Sequence, residues 1–85
     1  MPSVRMYSTH ICPYCKRAEH LLKKKGVQMI NKIFVDHNPV EMTKMIEITG
    51  RRTVPQIFIG DQHVGGYDDL VELDMDGELD PLLCQ

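Results

Sequence analysis

The chain has 85 residues, of which 42% are hydrophobic and 26% charged, a composition typical of folded globular proteins and not of disordered ones. The formal net charge is -2, and the basic residues lack interleaved aromatic residues, so no nucleic-acid partner is expected. No apolar run approaches the roughly 20 residues of a membrane span, so no membrane partner is expected either. We predict one domain over residues 1–85.

The charges are divided unevenly along the chain. All ten Lys and Arg residues lie in residues 1–52 with four of the acids, whereas residues 53–85 carry the other eight acids and no Lys or Arg. This division is explained either by two solvated faces that attract one another in the folded protein, or by a polar surface that steers a charged substrate.

The cysteine count and the N-terminal sequence bear on the compartment. Three cysteines are an odd and small number, unlike a secreted disulfide scaffold. The stretch MPSVRMYS lacks the apolar core of a signal peptide. A reducing, cytoplasmic location is therefore expected.

Strand-like and helix-like segments alternate along the chain. Runs rich in β-branched and aromatic residues predict strands, and apolar residues spaced three and four apart predict helices. The patterns predict, in chain order, a strand at Val27–Asp36 between two helices, the first from Pro13 to a stop at Gly26 and the second at Val40–Thr49, with a strand at Val4–Ser8 before them. After the second helix they predict a hairpin of strands Gln56–Ile59 and Gln62–Val64, a short helix from Asp68, and an apolar turn at Leu79–Leu83.

This order, β-α-β-α-β-β-α, predicts an α/β fold. The first two strands are joined through a helix, so they should be parallel with a right-handed crossover, and the last two should form a hairpin. A four-stranded mixed sheet with helices on both faces is the expected closure. In the second helix, Met42, Met45 and Ile46 recur at helical spacing and are predicted to fill the core.

Cys12 and Cys15 lie where the first strand passes into the first helix. Pro13 suits the first helical position, which puts Cys12 at the N-cap and Cys15 in the first turn. Residues three apart on a helical turn have Cα atoms roughly 5–5.5 Å apart, within the range of a disulfide. The positive end of the helix favours the thiolate of Cys12, which makes this sulfur a good leaving group when a second thiol attacks. The pattern therefore favours a redox pair.

Two other uses of the cysteine pair are open on spacing alone. A structural zinc site needs four ligands, usually including a second Cys or His pair at short spacing. The remaining candidates, His10, His20, His37, His63 and Cys84, show no such spacing. An inert buried pair is disfavoured by the proline-opened helix start. Cys84 is either an incidental thiol or a regulatory or intermolecular one.

Three segments in order resemble one known family: CPYC at 12–15, TVPQIFI at 53–59 and GGYDD at 65–69. Together they resemble a glutaredoxin of the dithiol type, similar to the small bacterial members, over essentially the whole chain. Thioredoxins share the fold but carry a Trp beside a Gly-Pro pair in the motif, and this chain has no Trp. The resemblance implies a thioredoxin fold. A monomer is expected, although the sequence does not determine the oligomeric state.

The resemblance also implies an activity. The protein is expected to be a glutathione-dependent thiol–disulfide oxidoreductase that reduces protein disulfides and protein–glutathione mixed disulfides. Cys12 would be the nucleophile and Cys15 the resolving thiol. Glutathione would be the reductant and co-substrate, its partners would be glutathionylated or disulfide-bonded proteins, and no metal is expected.

The second and third motifs are expected to bind glutathione. The resemblance implies a cis Val54–Pro55 bond that leaves the Val54 backbone free to pair with an extended peptide, although Pro55 by itself would simply start a strand. The N–H groups of Tyr67 and Asp68 would receive a carboxylate and an Asp would take an ammonium, whereas helix capping is the simpler alternative. The glutathione-binding set is predicted to be Tyr14, Arg51, Thr53, Val54, Pro55, Gly66, Tyr67, Asp68 and Asp69.

One position departs from the family pattern. Many relatives carry a Lys three residues before the first motif cysteine, where this chain has Thr9. Arg51 or Arg52 is then a candidate to meet the glycyl carboxylate of glutathione, with a solvated basic turn as the alternative. His10 is a candidate substitute for the missing Lys. The affinity for glutathione can therefore differ from that of relatives.

Two alternative functions belong to other classes. In an iron–sulfur carrier, two subunits would share a cluster through Cys12 and glutathione. Pro13 stiffens the loop, and carriers that resemble this fold usually have a single-thiol motif, so this alternative is disfavoured. A redox-inactive binding module is disfavoured because both thiols and both loops are intact.

Overall fold

The computed structural model describes residues 2–85 and has the predicted order of elements. The strands and helices are β1 Val4–Ser8, α1 Pro13–Lys24, β2 Ile30–Phe34, α2 Pro39–Thr49, β3 Gln56–Ile59, β4 Gln62–Gly65, α3 Tyr67–Met75 and α4 Leu79–Leu83. The final apolar turn forms the short helix α4. No helix among the described residues is long and apolar enough to cross a membrane.

The predicted four-stranded mixed sheet is confirmed, with strand order β2-β1-β3-β4. β1 and β2 are parallel, and both β1–β3 and β3–β4 are antiparallel. β2 is shorter than the predicted segment because its partner β1 has only five residues, and the pairing ends at Ser8 and Phe34. The end of β1, the start of β3 and the end of β4 consequently meet at one edge of the sheet.

Helices cover both faces of the sheet, as predicted. One buried cluster lies between the sheet and α1, α3 and α4, and includes the fully buried Ala18, Leu22 and Leu70. A second cluster lies between the sheet and α2, where Met45 is fully buried and Met42 packs against it. The methionines of α2 are therefore core residues, as the helical spacing predicts.

Ion pairs join the basic and the acidic part of the chain. Lys25, which caps α1, has its Nζ 2.7 Å from Asp74 Oδ1 and 3.3 Å from Asp80 Oδ2. Arg51 Nη1 lies 2.7 Å from Asp69 Oδ2. These contacts support the explanation that the two charged faces attract one another in the folded protein.

Candidate active site

The two cysteines of the CPYC motif lie at the N-terminus of α1. Cys12 is the N-cap, in an extended conformation with φ -148°, and Pro13 follows at the first helical position. The Cys15 backbone N–H donates to Cys12 Sγ over 3.2 Å. The two residues are joined by a disulfide, with Cα atoms 5.2 Å apart. The sulfur of Cys12 therefore accepts from the first turn of the helix, at its positive end.

A cleft of about 230 Å³ opens beside Tyr14, the residue between the two cysteines. It lies at the sheet edge where the loops before β3 and after β4 meet. The cleft is lined by the full set of residues predicted to bind glutathione, namely Tyr14, Arg51, Thr53, Val54, Pro55, Gly66, Tyr67, Asp68 and Asp69. The structure thus brings together three segments that are far apart in sequence.

The loop before β3 presents backbone atoms to the cleft. The Val54–Pro55 bond is cis, as the resemblance implies. Neither the N–H nor the C=O of Val54 is taken up by a hydrogen bond within residues 2–85. These two groups are therefore available to an extended ligand.

Gln56 and His63 hold the loop before β3 in place through hydrogen bonds. The sequence patterns did not predict this role. Gln56 is fully buried, and its Nε2 donates to the Thr53 carbonyl over 3.0 Å and to Thr53 Oγ1 over 3.3 Å. Its Oε1 lies 2.8 Å from Nε2 of His63. Burial, and then the nearby Arg51 charge, lowers the pKa of His63. The sequence does contain one indication of this role, because Gln56 is a polar residue at the start of the otherwise apolar strand β3.

The loop after β4 is held together by Asp69. Its Oδ2 accepts a hydrogen bond from the Gly66 backbone N–H over 2.8 Å and one from Arg51 Nη1 over 2.7 Å. The Arg51 guanidinium, followed by the Gly66 N–H, lowers the pKa of Asp69. Gly65 has φ 115°, and a Cβ at this position would overlap the Asp69 carboxylate. Asp69 therefore has the helix-capping role that was the simpler alternative.

The start of α3 forms the other wall of the cleft. Gly66 is the N-cap, so the N–H groups of Tyr67 and Asp68 belong to the first turn and have no acceptor within the helix. Asp68 is exposed and forms no ion pair within residues 2–85, in contrast to Asp69. N–H groups without an acceptor in the helix and a carboxylate without an ion pair within residues 2–85 therefore lie next to each other.

Three other candidate residues, His10, Arg52 and Cys84, do not line the cleft. The His10 ring is stacked on Phe34 with centroids 4.1 Å apart, and its Nδ1 lies 2.8 Å from Asp36 Oδ2. His10 is thus held against the end of β2, and it also lines a small cavity together with Cys12 and Thr9, so its role as a substitute for the Lys that Thr9 replaces stays a prediction. Arg52 and Cys84 are both exposed, and the thiol of Cys84 is free.

Comparisons with known proteins agree with this geometry. The family model described as Glutaredoxin matches residues 4–64. The chain is 51% identical over 83 residues to glutaredoxin 3 of Escherichia coli K12, covering 98% of this chain and 99% of the relative. The solution structure of glutaredoxin from Brucella melitensis has 48% identity and a TM-score of 0.84, with coverage of 98% and 89% of the two chains.

A solved complex is also similar. The crystal structure of the buckwheat glutaredoxin–glutathione complex superposes with a TM-score of 0.88 at 32% identity, covering 98% of this chain and 77% of that chain. Its fold, like that of the bacterial relatives, is the thioredoxin fold seen here. Sequence and structure together show that this chain belongs to the glutaredoxin family of thiol–disulfide oxidoreductases.

Proposed function

We propose that this protein is a glutathione-dependent oxidoreductase that reduces protein–glutathione mixed disulfides and protein disulfides. The observation that carries the proposal is the adjacency of the Cys12–Cys15 pair and a cleft with groups for a doubly charged ligand end. The buckwheat relative, which was solved with glutathione, supports this choice of ligand.

Glutathione has charges that match the cleft walls. Its γ-glutamyl carboxylate would accept from the N–H groups of Tyr67 and Asp68, and the Asp68 carboxylate would hold the neighbouring ammonium. The extended backbone of the tripeptide would pair with the free N–H and C=O of Val54. Tyr14 would flank the ligand on the side of the cysteines.

Arg51 would bind the glycyl carboxylate of glutathione without leaving Asp69. A guanidinium has five N–H donors, and the contact with Asp69 uses Nη1. The remaining donors can serve a second carboxylate. Because Arg51 can contact two carboxylates at once, it could bind the glycyl end of glutathione in place of the Lys that many relatives have where this chain has Thr9.

Reduction of a protein–glutathione mixed disulfide needs only one thiol of the enzyme. The Cys12 thiolate attacks the glutathione sulfur, a new disulfide joins Cys12 to glutathione, and the substrate leaves as a thiolate that takes up a proton. A second glutathione thiolate then attacks the bound glutathione sulfur. Oxidised glutathione leaves, and Cys12 returns as a thiolate stabilised at the N-terminus of α1.

Reduction of a protein disulfide needs both thiols. Cys12 attacks one substrate sulfur and becomes disulfide-bonded to the substrate, while the other substrate sulfur leaves as a thiolate. Cys15 then loses its proton and attacks Cys12, which forms the 12–15 disulfide and releases the second substrate thiol. Two glutathione molecules reduce this disulfide and leave as oxidised glutathione.

Single substitutions separate the two reactions. We expect Cys12→Ser to abolish both activities, and Cys15→Ser to retain much of the activity on glutathione mixed disulfides while losing that on protein disulfides. Turnover is measured with a glutathionylated peptide and with a disulfide-bonded protein. Equal activity of the two variants would overturn the assignment of roles, and visible absorbance after anaerobic purification would favour the iron–sulfur alternative.

A further inference from the structure

The outward face of α1 is basic along its whole length. The buried residues Cys15, Ala18 and Leu22 mark the face that packs on the sheet. At 3.6 residues per turn, the opposite face carries a run of exposed basic side chains. This run, the basic ridge, consists of Lys16, Arg17, His20, Lys23 and Lys24.

The charges of the basic ridge are not neutralised by the protein itself. None of its side chains forms an ion pair with a carboxylate within residues 2–85. Lys25, which follows the ridge, is instead tied to Asp74 and Asp80, and the one acid of α1, Glu19, pairs with Lys32. Lys23 Nζ donates to the Gln28 carbonyl and the Arg17 guanidinium lies over the Tyr14 ring, but no ridge side chain meets a negative charge within residues 2–85.

The basic ridge begins at the reactive sulfur. Lys16 lines a small cavity of about 140 Å³ together with Cys12 and Thr9, on the β1–β2 side of the cysteine. From there the ridge runs along α1 for about 12 Å, at 1.5 Å per residue. Ile11, next to Cys12, is 91% exposed and adds an apolar contact at the same end.

We propose that the basic ridge docks protein substrates that carry an acidic segment beside the target cysteine. The acidic segment would lie along α1, and an apolar residue next to the substrate sulfur would contact Ile11. The charge complementarity would raise the encounter rate and select among substrates. This proposal rests on the proposed function only in taking Cys12 as the attacking thiol.

The surroundings of the ridge favour an acidic protein segment over other polyanions. α3 packs beside α1, with the exposed acid Glu72 in the helix and the exposed acid Asp76 at its C-cap. A flat anionic membrane or a long nucleic acid would meet these acids together with the ridge and be repelled. A short peptide segment can follow one helix and avoid them.

The experiment compares glutathionylated peptides that differ only in the residues flanking the cysteine, which are all Asp, all Ser or all Lys. We expect kcat/KM to be about tenfold higher for the Asp peptide than for the Lys peptide at low salt, where the Debye length is about 30 Å. The difference should shrink at physiological salt, where that length is about 8 Å. Activity on the uncharged Ser peptide reports the proposed function independently.

Neutralising the far end of the ridge provides the matched test. Lys23→Gln/Lys24→Gln should lower kcat/KM for the Asp peptide about threefold or more and leave the Ser peptide unchanged, because both residues lie about three helical turns from Cys12. Lys44→Gln, on α2, removes an exposed charge elsewhere and should change neither value. Equal rates for the Asp and Lys peptides would overturn the proposal. Ridge-dependent binding of single-stranded DNA or anionic vesicles without the Asp preference would overturn it as well.

Discussion

Asp69→Ala tests whether the loop after β4 must be fixed for glutathione to bind. The substitution removes the acceptor of the Gly66 N–H bond, a capping interaction that contributes about 1 kcal/mol. It also removes the ion pair with Arg51, for which we take about 0.5 kcal/mol because both side chains are 40% exposed or more. The free energy of unfolding should therefore fall by about 1.5 kcal/mol.

This loss has two measurable consequences. In a domain of this size the Tm should fall by about 6–12 °C. If the loop must also be ordered for each binding event, the KM for glutathione should rise by up to about tenfold, with kcat changing less.

Asp68→Asn is the matched control, one residue away. Asp68 is exposed and outside the capping contacts, so this change should raise the KM for glutathione and lower the Tm much less than Asp69→Ala, because it removes only a charge from the first turn of α3. A Tm that falls equally in both variants, or an Asp69→Ala protein with an unchanged Tm and KM, would refute the division of roles between the two aspartates.

Two further predictions concern stability. Since burial lowers the pKa of His63 from 6.5, its stabilising effect is complete above pH 6.5 and is lost as the pH falls through the lower folded pKa. Urea unfolding between pH 5 and pH 8 should therefore show wild-type stability falling toward acid more steeply than that of His63→Gln, and parallel curves would contradict it. Met45→Ala should cost about 2–5 kcal/mol in the same assay because Met45 is fully buried, and a loss below about 1 kcal/mol would mean that the core around α2 is loosely packed.

Most of the fold could be predicted because the spacing of apolar residues in each segment agrees with the order in which the strands and helices pack. The spacing of Ala18, Leu21 and Leu22 predicts which face of α1 is buried, and a helix between the first two strands requires them to be parallel. The end of β2 could not be predicted from its own residues. Its length is set by pairing with β1, which is a property of two segments and not of one.

The candidate site could be predicted as a set of residues but not as a set of contacts. The resemblance supplied the nine residues that line the cleft, while the sequence did not reveal that Arg51 and Asp69 bind each other. It also gave no reason to link Gln56 with His63, which lie on neighbouring strands and meet only through the β3–β4 pairing. Side-chain contacts of this kind depend on register, which short motifs do not encode.

The size of the cleft decides which half of a mixed disulfide can enter it. At about 230 Å³ it is near the lower limit of small-molecule sites, roughly 300 Å³, and cannot admit a folded protein. In the proposed function, glutathione would occupy the cleft and present its own sulfur to Cys12, so the substrate would leave reduced in the first step. A protein disulfide has no half that would fill the cleft, so Cys12 would become bonded to the protein itself. Cys15, whose Cα lies 5.2 Å from that of Cys12, would then be the thiol that releases it.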